Sequence, residues 1–257
     1  MNLTEHLKTG IEASKKASEF IKSQTKEMLK IDFKGVSDLV TNADIKSEEI
    51  ILDKISKKFP NHSFITEESG IKKNDSEFTW VIDPIDGTTN FVHGYPFYSI
   101  SIALFLNEYP VLGIVNHIST NEIYFAIKKK GAFCNNNKIF VSKINSLSKS
   151  LLATGFGYKH EDIWEKNMQL HKKLTHLTQG VRRAGSAALD LCHVARGWLD
   201  GYWELDLNPW DIGAGIIIIQ EAGGLATKIN GEKITLKDNE VLSSNGLIHN
   251  QIQNKIN

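Results

Sequence analysis

The stretch Trp80-Val81-Ile82-Asp83-Pro84-Ile85-Asp86-Gly87-Thr88-Thr89-Asn90-Phe91 is the most informative in the chain. Val81 and Ile82 end an apolar strand and Asp83 sits at its tip. Pro84 forbids further ladder bonding, and Gly87-Thr88-Thr89 permits a tight turn into whatever follows. Two carboxylates three residues apart at a strand end are hard to satisfy by packing, because like charges about 4 Å apart repel by about 4 kcal/mol at an effective dielectric of 20. The run supplies no Arg or Lys, so a hard divalent cation is the natural partner, and oxygen-only ligands favour Mg²⁺ over zinc. A lone D-x-x-D reads more simply as a turn in which Asp83 and Asp86 accept backbone N–H groups. The Gly-Thr-Thr that follows shifts the balance, since backbone N–H groups opening a helix beside a hydroxyl make an anion site. Cation ligands and an anion cradle in one short loop point to a phosphate handled through metal.

Two competing motifs fail on spacing. A haloacid-dehalogenase loop needs an aspartate two residues before Asp86, and Pro84 stands there. Gly155-Phe156-Gly157 and Gly213-Ala214-Gly215 resemble pieces of a dinucleotide loop but lack the third glycine, so they are read as sites of close packing. Outward from the loop, apolar spacing predicts a helix over 1–30, a break at Gly35 and a second helix over 44–59. Strands are expected at 63–66, 78–83, 98–106, 110–117 and 122–127. The second half alternates, with strands at 151–155, 181–184, 200–204 and 225–228 among helices at 162–177, 186–195 and 209–222. This describes an α/β body of layered sheets and helices, read as one catalytic domain over 1–257, with halves of about 1–140 and 141–257 and a seam within 128–147.

Composition narrows the classes. The 257 residues carry 30 Lys+Arg and 30 Asp+Glu, for zero net charge, and are 41% hydrophobic. That excludes a partner recognised by bulk positive charge, so no nucleic acid is indicated, and it fits an ordinary folded chain. Cys134 and Cys192 are isolated thiols, the first 30 residues lack a signal core, and no apolar run approaches the ~20 residues a bilayer requires. The expectation is a cytoplasmic protein with no membrane segment. Lys128-Lys129-Lys130 reads as a solvated turn, and His171 and His176 are wrongly spaced for zinc.

The run 80–91 resembles the signature of the inositol monophosphatase family, and Pro209-Trp210-Asp211-Ile212-Gly213-Ala214-Gly215 with Glu221-Ala222-Gly223-Gly224 resembles its second signature. Asp38-Leu39-Val40-Thr41-Asn42-Ala43-Asp44 and Phe64-Ile65-Thr66-Glu67-Glu68-Ser69 supply two further matches in family order. The resemblance implies an αβαβα sandwich, a homodimer, sensitivity to Li⁺ and two to three Mg²⁺ per active site. It places one ion on Glu67, Asp83 and the Ile85 carbonyl, a second on Asp83, Asp86 and Asp211, and a weaker third on Glu67 with waters. It assigns the substrate to Asp86, Gly87, Thr88, Ala187, Glu204 and Asp211, with phosphate on the Gly87 and Thr88 backbone and alcohol hydroxyls on Glu204. Asp44 pairs with Thr88 to activate the attacking water, and Glu67 joins them as catalytic.

Taken singly, each has a plainer reading: Glu67 a solvated acid, Glu204 a strand end, Asp211 a helix cap, and Asp44 a cap of the second helix. Together they gather about four negative charges, a phosphomonoester adds about two more, and only divalent cations make that pocket receptive. The implied reaction is in-line attack of a metal-activated water on phosphorus, without a phosphoenzyme. The implied substrate is a small polyol or sugar phosphate, inositol 1- or 4-monophosphate foremost. Thr89-Asn90 argues against the nucleotide-bisphosphate branch. Asn208-Pro209 and Tyr158 depart from the inositol phosphatase pattern on the alcohol side, which leaves histidinol phosphate and fructose 1,6-bisphosphate open. A non-catalytic interaction protein keeping the fold is the alternative of another class.

Overall fold

Helical spacing of Ala13, Ala17 and Ile21 makes the buried stripe of α1 (Thr4–Lys22), which ends before residue 30, with a separate 3₁₀ turn at Lys26–Met28. The computed structural model describes residues 2–33, 39–157 and 162–256; Gly35, Asp38 and Tyr158 lie outside them. Strands β1 (Ile31–Phe33) and β2 (Leu39–Thr41) pair antiparallel and lead into α2 (Asn42–Lys58). Then come β3 (Ser63–Thr66), β4 (Gly70–Lys72), β5 (Phe78–Asp86), α3 (Thr88–His93), β6 (Ser99–Leu106), β7 (Tyr109–His117), β8 (Glu122–Ile127), β9 (Gly131–Cys134) and β10 (Asn137–Lys138). They form an eight-stranded sheet in the order β10-β9-β8-β7-β6-β5-β3-β4, antiparallel except for the β3–β5 pair. Within the stretch 128–147, β9 and β10 make one edge of this sheet.

The rest of the chain gives β11 (Leu151–Thr154), α4 (Asp162–Leu177), β12 (Gly180–Arg182), α5 (Ala187–Ala195), β13 (Gly201–Leu205), α6 (Pro209–Glu221), β14 (Leu225–Thr227), β15 (Glu240–Ser244) and α7 (His249–Ile256). Their sheet has the order β12-β11-β13-β15-β14 and mixes parallel and antiparallel pairs. Helices α1 and α2 cover the outer face of the large sheet, α5 and α6 fill the space between the sheets, and α4 and α7 cover the outer face of the small one. The five layers are the expected αβαβα order. Helix α6 is apolar on every side because it has a sheet on both, and Ile216 to Ile219 are all buried. The glycines around it are packing devices, as expected for the 213–215 run: a Cβ on Gly215 would lie 2.4 Å from Leu191 Cδ1.

One boundary differs in a way that builds the site. Pro84 does not end β5; the ladder pairs Asp83 with Ser101 and resumes at Asp86 with Ser99, so two residues of β5 face one of β6. In an unbroken strand, residues three apart point to opposite faces. The bulge adds the extra residue that turns Asp83 and Asp86 to the same side.

Candidate active site

A cavity of about 350 Å³ opens between the two sheets where β5, α3, α5, β13 and α6 meet, and Glu67, Asp83, Asp86, Glu204 and Asp211 line it. Ile85, Gly87, Thr88 and Ala187 line it too. Asp44 stands one hydrogen bond behind, through Thr88. The structure therefore brings the residues expected from the sequence as metal, substrate or catalytic groups to this cavity or one hydrogen bond behind it.

Each acid is held by the protein on one side. Asp83 Oδ1 accepts the Ile85 N–H at 2.9 Å, the turn bond of the plainer reading. Asp86 accepts Ser186 Oγ at 2.5 Å, the Ala188 N–H at 2.8 Å and the Ala187 N–H at 3.3 Å, so the start of α5 is aimed at it. Asp211 Oδ2 accepts the Asn208 N–H at 2.6 Å, at the opening of α6. Asp44 Oδ2 accepts the Thr41 N–H at 2.8 Å in a capping box, while its Oδ1 accepts Thr88 Oγ1 at 2.9 Å. Capping and site geometry are the same bonds here, so the two readings of Asp44 and Asp211 do not compete. Tyr202 donates its hydroxyl to Glu204 in a short hydrogen bond.

Crowding leaves a charge problem. Burial, and then the charges of Glu67, Asp86 and Asp211, hold the Asp83 carboxyl well above the usual carboxylate range. Burial lifts Asp86 to about 6 despite its donors, and lifts Asp211 well up against the Asn208 N–H. It raises Asp44 against the Thr41 and Thr88 bonds, and pushes Glu204 up to about 7 against the Tyr202 bond. Among the described residues no three acid, His or Cys side chains converge on one point as ligands. Instead Asp83 and Glu67 are within hydrogen-bonding reach of each other, a contact two carboxyls make only when one carries a proton. A divalent cation relieves the same repulsion, and the donors are all hard oxygens, so the set fits Mg²⁺.

Several positions escaped the sequence reading. Glu48 on α2 accepts the Glu68 and Ser69 N–H groups, each at 2.8 Å, and Thr66 Oγ1 at 3.1 Å, which fixes the turn that carries Glu67. Ser47 bonds the Pro84 carbonyl at 3.1 Å and steadies the bulge. Asp190, Arg183 and Asp206 line the cavity together with Glu204. Gly155 and Gly157 pack closely as expected, but against carboxylates: a Cβ on Gly155 would come within 2.1 Å of Glu204 Oε2, and one on Gly157 within 2.9 Å of Asp206 Oδ2. The i, i+3 patterns of Thr41 with Asp44 and of Asn208 with Asp211 advertise their caps in the sequence; Glu48, Ser47, Asp190, Arg183 and Asp206 are assembled across elements.

Five layers with an acidic cavity between the sheets, opened by a glycine turn into α3, place the chain among the layered α/β phosphatases. It belongs to the inositol monophosphatase family, whose family model matches residues 2–257. It is 46% identical over 216 residues to the inositol-1-monophosphatase of Synechocystis, covering 84% of this chain and 75% of that one. It is 39% identical over 253 residues to the Nus factor SuhB of Pasteurella multocida, covering 97% of this chain and 95% of that one. The crystal structure of the extragenic suppressor protein suhB from Bartonella henselae superposes with a TM-score of 0.94 at 33% identity, covering 98% of each chain. Among the described residues no helix is long and apolar enough to cross a membrane.

Proposed function

We propose that this chain is a Mg²⁺-dependent phosphomonoesterase for small polyol or sugar phosphates, with inositol monophosphate as first candidate. One observation carries the reading: Glu67, Asp83, Asp86 and Asp211 face one cavity in which burial and mutual charge hold Asp83 and Asp211 far from their ordinary ionisation. Glu67, Asp83, the Ile85 carbonyl, Asp86 and Asp211 would hold two to three Mg²⁺. When bound, Mg²⁺ supplies positive charge for the phosphate oxygens, for the departing alcohol oxygen and for activation of water.

The chain's own groups do the rest. The backbone N–H groups of Gly87 and Thr88 receive phosphate oxygens at the turn, where Gly87 adopts φ 99°. Thr88 Oγ1 has one proton and two acceptors, Asp44 Oδ1 at 2.9 Å and the Ile85 carbonyl at 3.0 Å, so its oxygen is oriented to accept a proton from water. As the water oxygen bonds to phosphorus, that proton passes to Thr88 Oγ1 and the Thr88 proton to Asp44 Oδ1. The phosphorus–alcohol oxygen bond breaks, the alcohol oxygen takes a proton from solvent water, and the proton held on Asp44 returns to solvent, giving alcohol and inorganic phosphate. Glu204 and Ala187 border the alcohol portion.

Phosphate release from inositol, histidinol, fructose and nucleotide phosphates, with and without Mg²⁺, tests this. Mg²⁺-dependent release, highest on a monophosphorylated polyol, is expected; inactivity on the whole set in Mg²⁺ overturns the reading. The similarity to a Nus factor SuhB supports a second reading, in which the fold also serves as an interaction protein. An Asp83→Asn chain that still binds such a partner would separate the two roles.

A further inference from the structure

We propose that Asp190 receives a hydroxyl of the substrate's alcohol portion beside Glu204, and so makes this end of the cavity selective for polyols. The inference rests on the phosphomonoesterase reading and adds a residue to it. Asp190 lies in the first turn of α5, one turn beyond the Ala187 and Ala188 N–H groups that hold Asp86. Only 2% of it is exposed, yet it lines the cavity.

Its carboxyl differs from its neighbours. Asp83, Asp86, Glu204 and Asp211 each accept a hydrogen bond from the protein. The surroundings of the Asp190 carboxyl are burial, the charges of Glu204 and Asp86 and the opposing charge of Arg183, with no hydrogen bond to it among the described residues. Its backbone N–H is spent on the Ser186 carbonyl at 3.0 Å. Its carboxyl oxygens are not among the sealed, unpartnered polar atoms of the described fold; they reach the cavity, where a ligand hydroxyl can supply the bond the protein does not. Beside it, Tyr202 locks Glu204 on β13, and Gly155 leaves the space that Glu204 occupies. Two carboxyls side by side suit neighbouring hydroxyls, each able to donate one bond. A second phosphate would meet Asp190, Glu204 and Asp206, with Arg183 the one cation lining the cavity among the described residues, so monophosphates are favoured over bisphosphates.

Asp190 could instead serve α5 alone, as an acid near the helix start. That role changes stability and affects all substrates alike. The two are separated by kcat and KM for inositol monophosphate and for 4-nitrophenyl phosphate, which has no hydroxyl on its alcohol portion, in wild type, Asp190→Ala and Asp190→Asn at saturating Mg²⁺. A lost hydroxyl contact should lower kcat/KM of Asp190→Ala on inositol monophosphate by about tenfold or more, chiefly through KM, with 4-nitrophenyl phosphate within about threefold of wild type. Asp190→Asn, which keeps one acceptor oxygen, should fall between, and it carries the comparison if the alanine variant does not fold. An equal fall on both substrates, or no fall on either, overturns the proposal. A wild-type chain inactive on both overturns the phosphomonoesterase reading itself, a distinguishable failure.

Discussion

The two sheets contribute unlike halves of one cavity. On the eight-stranded side, the acids at the β5 bulge are fixed by backbone bonds, and α2 braces the neighbouring loops through Ser47 and Glu48. On the five-stranded side, Glu204 is held by a side chain, the Asp190 carboxyl has the charge of Arg183 but no hydrogen bond among the described residues, and the glycines at 155 and 157 leave room for acid side chains. The first arrangement suits a reaction that tolerates little displacement; the second suits a surface that can vary with the alcohol. In this account chemistry resides with the large sheet and selectivity with the small one.

Substitutions should break along that line. The largest effect is expected from Asp83→Asn, which removes an acid on which the charges of Glu67, Asp86 and Asp211 all act: turnover should fall by about a thousandfold or more on every substrate, with the melting temperature kept or raised. Retained activity would move the chemistry elsewhere. Asp44→Asn comes next. It leaves an acceptor for Thr88 but a poor proton acceptor, and should cost about a hundredfold in kcat on all substrates, with KM little changed. On the other side, Gly155→Ala drives a methyl into Glu204, so kcat/KM for inositol monophosphate should drop by about tenfold while 4-nitrophenyl phosphate is spared. A uniform loss would show that the sheets do not divide the work.

The smallest effect concerns stability. Burial, with the charges of His117 and Arg196 behind it, pulls the His193 imidazole down to about 4, and its Nε2 has no hydrogen-bond partner among the described residues. A histidine that is harder to protonate folded than unfolded stabilises the fold above about pH 6.5, and that contribution fades as pH falls toward 4, by up to about 3 kcal/mol. Between pH 7 and 5 the raised carboxyls of the cavity gain stability as they protonate, so the His193 part is read as a difference: the urea midpoint of wild type should fall relative to that of His193→Gln as pH drops. Equal slopes would mean that His193 does not titrate as described.

The large-sheet half of the site was legible because its ligands are consecutive: Asp83 to Thr88 sit in one loop and advertise themselves by type and spacing. The reading misjudged only Pro84, which kinks β5 rather than ending it. The small-sheet half was legible only through the family resemblance, and incompletely. Asp190 and Glu204 are 14 residues apart and meet because α5 packs on β13, a contact no local pattern encodes. Strand β15, between β13 and β14, was missed because its Ser243-Ser244 end and charged approach look like a loop. Helix α7 buries only Ile252, Ile256 and His249, too few apolar positions to declare a period.

The central claim is that the acid cluster becomes a phosphate receptor only when it holds Mg²⁺. Calorimetric titration of inorganic phosphate into the intact chain, with and without saturating Mg²⁺, tests it without any turnover. Phosphate should bind in Mg²⁺, and should not bind in its absence or to Asp83→Asn. Binding of equal strength without the metal, or no binding with it, would contradict the account.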